Sequence, residues 1–419
     1  MLSNFRVFDN FDNKEMVAMS YKSLRKLFYT NNKEHMAMYS QRFHSPSAIH
    51  IDLDIKQFNH NNSFKAFYYY NEELVVLLER IYSQHSKLLT IIEDVPPLVL
   101  HQFGIYCIVD EVHSTSAIEG IHSTHRELQD ILEGNSHSRH FSSILRKYDA
   151  LVLNEQIDLN TCQDIRSLYD DFAYEDIVAN NQNNKLDGKI FRAETVDVVN
   201  SSGKILHRGL SPEDKIVDAM NIALKILHDA NTPILVRIAI FHYLFVYIHP
   251  FYDGNGRTAR FISSYYLAKN FHYLSALRLS YIIKRHQRNY YDLIHNTELE
   301  INCGDLTPFI MGFCTIFLNS IDNVCSLLDH KAKQIHKYET KLLELFADDK
   351  LKLDICLTLL YTNAFIGQGK TMEALMHETG KSRNTIREKL NSLPEGFIVT
   401  ERKKRKIFYK LNALIFKGF

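Results

Sequence analysis

His249-Pro-Phe-Tyr-Asp-Gly-Asn-Gly-Arg-Thr-Ala-Arg260 decides how the rest of the chain is read. Upstream, Ile234 to Ile248 is an apolar helical run that stops at the His249-Pro250 pair, because proline cannot continue a helix. Downstream, the Gly-Asn-Gly turn feeds Arg257 and Arg260 into a second helix, Thr258 to about Asn270. Each part has a chemical use. A histidine titrates near neutrality and can take a proton from a hydroxyl. Gly254 and Gly256 let backbone approach a ligand closely, and the N–H groups that open a helix favour anions. Arg257 and Arg260, three apart, share a helix face and can grip phosphate oxygens. Asp253 offers the hard oxygen that suits Mg2+ bound to a nucleotide. Phe251 reads as an apolar anchor that pins the loop. Any one of these has an ordinary structural meaning; together they spell phosphate chemistry.

The stretch resembles the Fic family signature, His-x-Phe-x-Asp/Glu-Gly-Asn-Gly-Arg-x-x-Arg, with every fixed position matched. The resemblance implies a mainly α fold: a Fic helical bundle with a small β-hairpin flap. It also implies a reaction, the transfer of AMP from ATP to a Ser, Thr or Tyr hydroxyl of a target protein, which can be the chain itself. His249 would be the base and Asp253 the Mg2+ ligand. Gly254, Asn255, Gly256 and Arg257 would cradle the phosphates, and Arg260 would fix the terminal one. A phosphotransferase branch of the family carries lysine at the position of Gly256, so glycine favours nucleotidyl transfer. Two alternatives stay open: another nucleotide donor at the same site, or a nucleotide-sensing regulator that works on DNA.

Upstream lies Thr115-Ser-Ala-Ile-Glu119-Gly120. Thr115 and Glu119 are four apart, hence on one helix face, and Gly120 is a natural helix stop. Alone, Glu119 would be one more solvated carboxylate. Beside the signature, the segment resembles the family's inhibitory motif, in which the glutamate pairs with the second signature arginine, here Arg260. A carboxylate on that guanidinium would occupy the group needed by the terminal phosphate. Between the two motifs, Thr195-Val-Asp-Val-Val199 and Lys204-Ile-Leu-His-Arg208 flank a Gly-bearing turn and argue for a hairpin. Its place resembles the flap that holds the target by strand addition, with Val196, Val198 and Ile205 as docking positions.

Composition sets the frame. The 419 residues carry 45% hydrophobic and 23% charged residues, with 15 Gly and 8 Pro, which favours helix over loop. Net charge is +0, so no global attraction to nucleic acid or membrane follows. Six scattered cysteines without a Cys-x-x-Cys pair suit reduced thiols. No apolar run approaches the length of a bilayer span and the N-terminus is too polar for a signal peptide, so a cytoplasmic protein with no membrane partner is expected. The chain divides into an N-terminal extension, 1–70, irregular with a short strand; a core, 71–330, with the inhibitory helix at about 109–120, the flap at about 189–208 and the signature loop at 249–260; a connecting helix, 331–347; and a C-terminal module, 348–419. His242 reads as a supporting core histidine, and Tyr290 and Tyr291 as packing residues near the nucleotide.

In that last module, Met372 to Gly380 and Ser382 to Leu393 have the spacing of a helix-turn-helix, and Ile398 to Leu411 reads as two strands around a basic turn, Arg402 to Lys406. This resembles a winged helix. Residues 381–419 hold 11 Lys+Arg against 3 Glu in a neutral chain, which suits phosphate backbones and makes DNA a candidate partner. A winged helix that docks protein, or pairs the chain as a homodimer, is the competing use.

Overall fold

The computed structural model describes residues 21–132, 134, 140–199, 202–365, 367, 369–403 and 406–412. Helices dominate, with three small sheets among the described residues. The first segment is more regular than its polar sequence suggests. It holds α1 (Leu24–Thr30), α2 (Asn32–Phe43) and an antiparallel hairpin, β1 (Ala48–Ile55) and β2 (Phe64–Tyr69). Sequence periodicity misses α2 because its buried face is polar: His35 Nε2 lies 2.6 Å from Ile301 O, and Arg42 reaches Asp305 at 3.5 Å. Since a backbone carbonyl only accepts, His35 Nε2 is the donor.

Next come α3 (Glu72–Glu93), α4 (Pro97–Ile118), α5 (His125–Leu132), α6 (Ser142–Val152), α7 (Cys162–Tyr169), a π-helical turn at Asp170–Tyr174, and α8 (Glu175–Asn180). In α3, Asn71 caps the N-terminus and Leu74, Ile81 and Leu88 are the buried seam. The flap hairpin is β3 (Asp197–Val199) and β4 (Ile205–Arg208), paired Asp197 to Arg208 and Val198 to His207; Asn200 and Ser201 of its turn lie outside the described residues. Then follow α9 (Glu213–Leu227), α10 (Ile234–Ile248), α11 (Asn255–Asn270), α12 (Tyr273–Ala276), α13 (Leu279–Arg285), α14 (Gln287–Glu298) and α15 (Thr307–Phe346).

α10 is apolar on every side and is buried among α9, α11 and α15, so the histidine after it is carried by the stiffest element of the core. α13 and α14 are separated by a break at His286. The expected connector 331–347 is not separate: α15 runs unbroken for 40 residues, its buried stripe continuing through Leu328, Ile335, Tyr338, Leu342 and Phe346. α15 is also the one described helix long and apolar enough to cross a bilayer, contrary to the sequence expectation; 56% of that stretch is buried inside the protein.

The C-terminal module holds α16 (Lys350–Thr362), β5 (Lys370–Thr371), α17 (Met372–Thr379), α18 (Arg383–Asn391), β6 (Ile398–Lys403) and β7 (Lys406–Leu411), with strand order β5-β7-β6. Gly380, at φ +64°, stops α17, and Ser382 caps α18 by accepting from Thr385 N. Of the basic turn expected at Arg402 to Lys406, Lys404 and Arg405 lie outside the described residues, as do residues 1–20 and 413–419. All six cysteines are free and buried.

Candidate active site

α10 ends because His249 adopts the left-handed conformation, φ +54° and ψ +60°, and Pro250 follows. The ring is half-buried. Nδ1 lies 3.3 Å from Val246 O, and as the carbonyl accepts, Nδ1 carries the hydrogen and Nε2 keeps its lone pair. Burial first, then His207 (ring centroids 6.2 Å apart) and Arg192, push the His249 pKa down to about 3, so the ring is neutral at physiological pH.

The loop after it is held from within. Phe251 is fully buried, stacked on Tyr169 at 3.7 Å between centroids and edge-on to Phe191 at 5.6 Å. Asn255 clamps the Phe251 backbone on both sides: Oδ1 accepts from Phe251 N at 2.9 Å, and Nδ2 donates to Phe251 O at 2.7 Å. Its side chain is therefore engaged in shaping the loop. Gly254, at φ +82°, makes the turn into α11, where a side chain would strike Ile177. The N–H groups of Asn255, Gly256 and Arg257 then open the helix with no carbonyl four residues back to accept them.

Arg257 is 5% exposed, and its Nε and Nη2 are buried without hydrogen-bond partners; Nη2 is 4.0 Å from the nearest Asp253 oxygen. Asp253 is half-exposed, with Oδ1 accepting from Gly254 N at 2.5 Å. Arg260, 1% exposed, is fully engaged: Nε donates to Thr115 Oγ1 at 2.9 Å, and Nη2 donates to Thr115 O at 3.1 Å and to Glu119 Oε1 at 2.7 Å. Glu119 is thereby the first charge that holds the Arg260 pKa up against burial. Glu119 itself caps α4, and Gly120, at φ +75°, turns the chain away. A Cβ on Gly256 would overlap both Glu119 Oε1 and Arg260 Nη1, so the glycine is what lets the carboxylate in.

Residues 161–267, which hold the flap and the loop, match the model of the Fic/DOC family. Those residues form a Fic/DOC family domain. The protein adenylyltransferases Fic of Aedes aegypti and of Culex quinquefasciatus are each 38% identical to this chain over 76 residues, 17% of the chain and only 13% of the relative. A Fic family protein from Desulfovibrio desulfuricans has the same fold, with a TM-score of 0.53 at 19% identity, over 82% of this chain and 97% of that one.

α4, with Thr115 and Glu119, lies outside the matched residues; beyond its bonds to Arg260, it is tied to α5, α13 and α14 by buried polar groups. Asp110 meets Arg278 at 2.6 Å and His125 at 2.7 Å. Although burial opposes it, those two partners bring the Asp110 pKa down to about 2. Glu111 accepts from Ser280 N at 2.9 Å, at the start of α13, but full burial pushes its pKa up to about 7. Lys284, Gln287 and Tyr291 donate to the last carbonyls of α4. Tyr290 OH donates to His242 Nε2 at 2.8 Å, and His242 Nδ1 donates to Ser263 at 2.8 Å, so His242 is a neutral link between α10, α11 and α14. On the flap, Val196, Val198 and Ile205 are half-buried, and the exposed apolar side chains are Val199 and Leu206. Sequence reasoning missed Tyr169, Arg192 and His207. No spacing marks Tyr169 or His207; Arg192 stood out only as a cation inside an otherwise apolar pair of turns, Ile190 to Arg192.

Proposed function

We propose that this chain is a protein adenylyltransferase, moving AMP from ATP to a Ser, Thr or Tyr hydroxyl of a target protein, and that Glu119 restrains it. Arg257 carries the proposal. A buried guanidinium with two unpartnered nitrogens is costly unless an anion completes it. It stands where the N-terminus of α11 already favours negative charge. A triphosphate along Gly254–Arg257 supplies the missing acceptors, and the neutral His249 is the nearby base.

In the reaction, His249 Nε2 takes the hydroxyl proton as the oxygen attacks the α-phosphorus. The new P–O bond forms, the bond to the bridging oxygen breaks, and pyrophosphate leaves with that electron pair. Arg260 orients the terminal phosphate once Glu119 vacates it. Asp253 would hold Mg2+ brought by the nucleotide. A lone half-exposed carboxylate fits that task, since the other ligands of such an ion are phosphate oxygens and water, and no three-ligand cluster exists among the described residues. Bound there, the ion would offset charge on the departing pyrophosphate. The resemblance makes glycine at 256 a mark of nucleotidyl over phosphoryl transfer, and here it also leaves room for the Glu119–Arg260 pair, which any Cβ would overlap. The free side of the flap, with Val199 and Leu206 exposed, suits a target segment added as a strand.

His249→Ala and Arg257→Ala test this in opposite ways. His249→Ala should keep ATP affinity and lose transfer; Arg257→Ala should weaken ATP by about tenfold or more. Transfer retained by His249→Ala, or ATP affinity unchanged in Arg257→Ala, contradicts the proposal.

A second reading concerns the C-terminal module, which we take as a winged helix that binds DNA. Arg383 and Arg387 of α18, and Lys381 just before it, are exposed, although Arg383 also pairs with Glu373. In that reading the Fic domain senses nucleotide for a DNA-bound regulator. Duplex binding that weakens steeply with salt, and weakens further in Lys381→Ala/Arg387→Ala, supports it; no binding at low salt removes it.

A further inference from the structure

Arg192 is 0% exposed, and among the described residues the hydrogen bonds of its guanidinium go to backbone carbonyls. Nε donates to His249 O at 2.9 Å, Nη2 to Leu210 O at 2.8 Å and to Ile248 O at 3.5 Å, and Nη1 to Glu194 O at 2.5 Å. Its own N–H donates to Pro250 O at 3.2 Å, while Leu210 N donates to Ile248 O at 3.1 Å. One side chain thus gathers the segment that enters the flap, the segment that leaves it, and the left-handed cap that aims the His249 ring. Gly209 keeps this cage open, for a Cβ there would overlap Arg192 Nη2 and crowd His249 Cβ. Among the described residues no carboxylate forms an ion pair with Arg192, and burial, opposed by the charges of Tyr252 and Asp187, lowers its pKa to about 10. A cation placed there without an ion-pair partner is expensive as mere packing.

We propose that Arg192 is a positioning residue, which locks His249 and the base of the flap into one frame so that the Nε2 lone pair meets the hydroxyl the flap presents. This rests on the adenylyltransferase reading. Arg192→Lys and Arg192→Gly are made in the active Glu119→Gly background. Arg192→Lys cannot span the carbonyls, so kcat should fall on the order of 100-fold while KM for ATP holds, because the phosphate site is built by other residues. Guanidinium ion should restore part of kcat in Arg192→Gly. By NMR, the His249 ring in Arg192→Lys should titrate closer to the ordinary histidine range, a readout that needs no turnover. Unchanged kcat with a lowered Tm, or equal loss of kcat and ATP affinity without rescue, overturns the proposal. If the Glu119→Gly parent itself transfers nothing, the function is wrong, and the His249 titration alone decides the positioning claim: no movement removes it.

A separate observation concerns α4. Its first turn, with Val95 before it and Val99 within it, is buried in the hydrophobic cluster of the C-terminal module, beside Ile335, Ile355 and Leu359. Phe365, just past α16, packs on Phe103 at 4.6 Å and on Tyr106 at 6.1 Å between centroids. The other end of the same 22-residue helix presents Glu119 to Arg260. We infer that the C-terminal module sets how firmly Glu119 holds Arg260, with α4 as the shared rod. In the full chain, Phe365→Ala and Val99→Ala should raise transfer several-fold when Glu119 is present and leave it unchanged in Glu119→Gly. Hydrogen exchange over 109–120 should quicken in both variants, whether or not the chain turns over. Equal effects in both backgrounds, or unaltered exchange, overturn the coupling.

Discussion

Replacing Glu119 with glycine should raise transfer by about 10- to 100-fold. The contact to be lost is one charge-assisted hydrogen bond of 2.7 Å to a guanidinium that is 1% exposed. Such bonds contribute about 1.5–3 kcal/mol, and each 1.4 kcal/mol is a factor of ten in the population freed. The Glu119 carboxylate is 26% exposed, which places the gain in the lower half of that span. Arg260 keeps both bonds to Thr115, so the guanidinium should stay where the terminal phosphate needs it. Glu119 is the cap of α4, a position where glycine is tolerated, but Arg260 loses its carboxylate partner, so Tm should fall as activity rises. The assay is the initial rate of label incorporation at saturating ATP, with Glu119→Gln as an intermediate that keeps the shape and drops the charge. A gain of less than about twofold in a folded protein would refute the reasoning, since the pair would then be too weak to gate the site.

Other consequences are as direct. Asn255→Ala removes both clamps on Phe251 and should lower stability by about 1–3 kcal/mol, read by denaturant unfolding, and should disorder the loop enough to abolish transfer. The His249 pKa of about 3 means that the neutral, proton-accepting ring persists as pH falls through the ordinary histidine range, so kcat should show no acid limb near 6.5. An inflection there would show an exposed, ordinary histidine. Glu111, raised to about 7 by burial, binds its proton more tightly folded than unfolded, so its contribution is present below about 4.5 and lost as pH rises through 7. Glu111→Gln should therefore flatten the decline of Tm between pH 5 and 8 relative to wild type, as followed by thermal melts; parallel curves would exclude Glu111 as its source.

The signature loop was legible because its residue types are chemically unusual at short range: a histidine before a proline, glycines that turn, arginines three apart. The hydrophobic helix α10 was legible from its apolar run and the proline after it. What escaped depends on long-range contacts. α2 is hidden because His35 and Arg42, polar residues, make its buried face. The continuity of α15 is hidden because a charged surface in 331–347 masks a buried stripe. Asn255 looked like a phosphate ligand, since nothing local says that its amide returns to Phe251. The role of Arg192 was hidden, because its partners come from three separate segments.

The most direct test supplies ATP labelled at either the α- or the γ-phosphate, with Mg2+, to wild type, Glu119→Gly and the Glu119→Gly/His249→Ala pair. Label from the α-position alone should enter protein, most in Glu119→Gly and none when His249 is also replaced. Entry of γ-label, or α-label that survives the loss of His249, would contradict adenylyl transfer by this site.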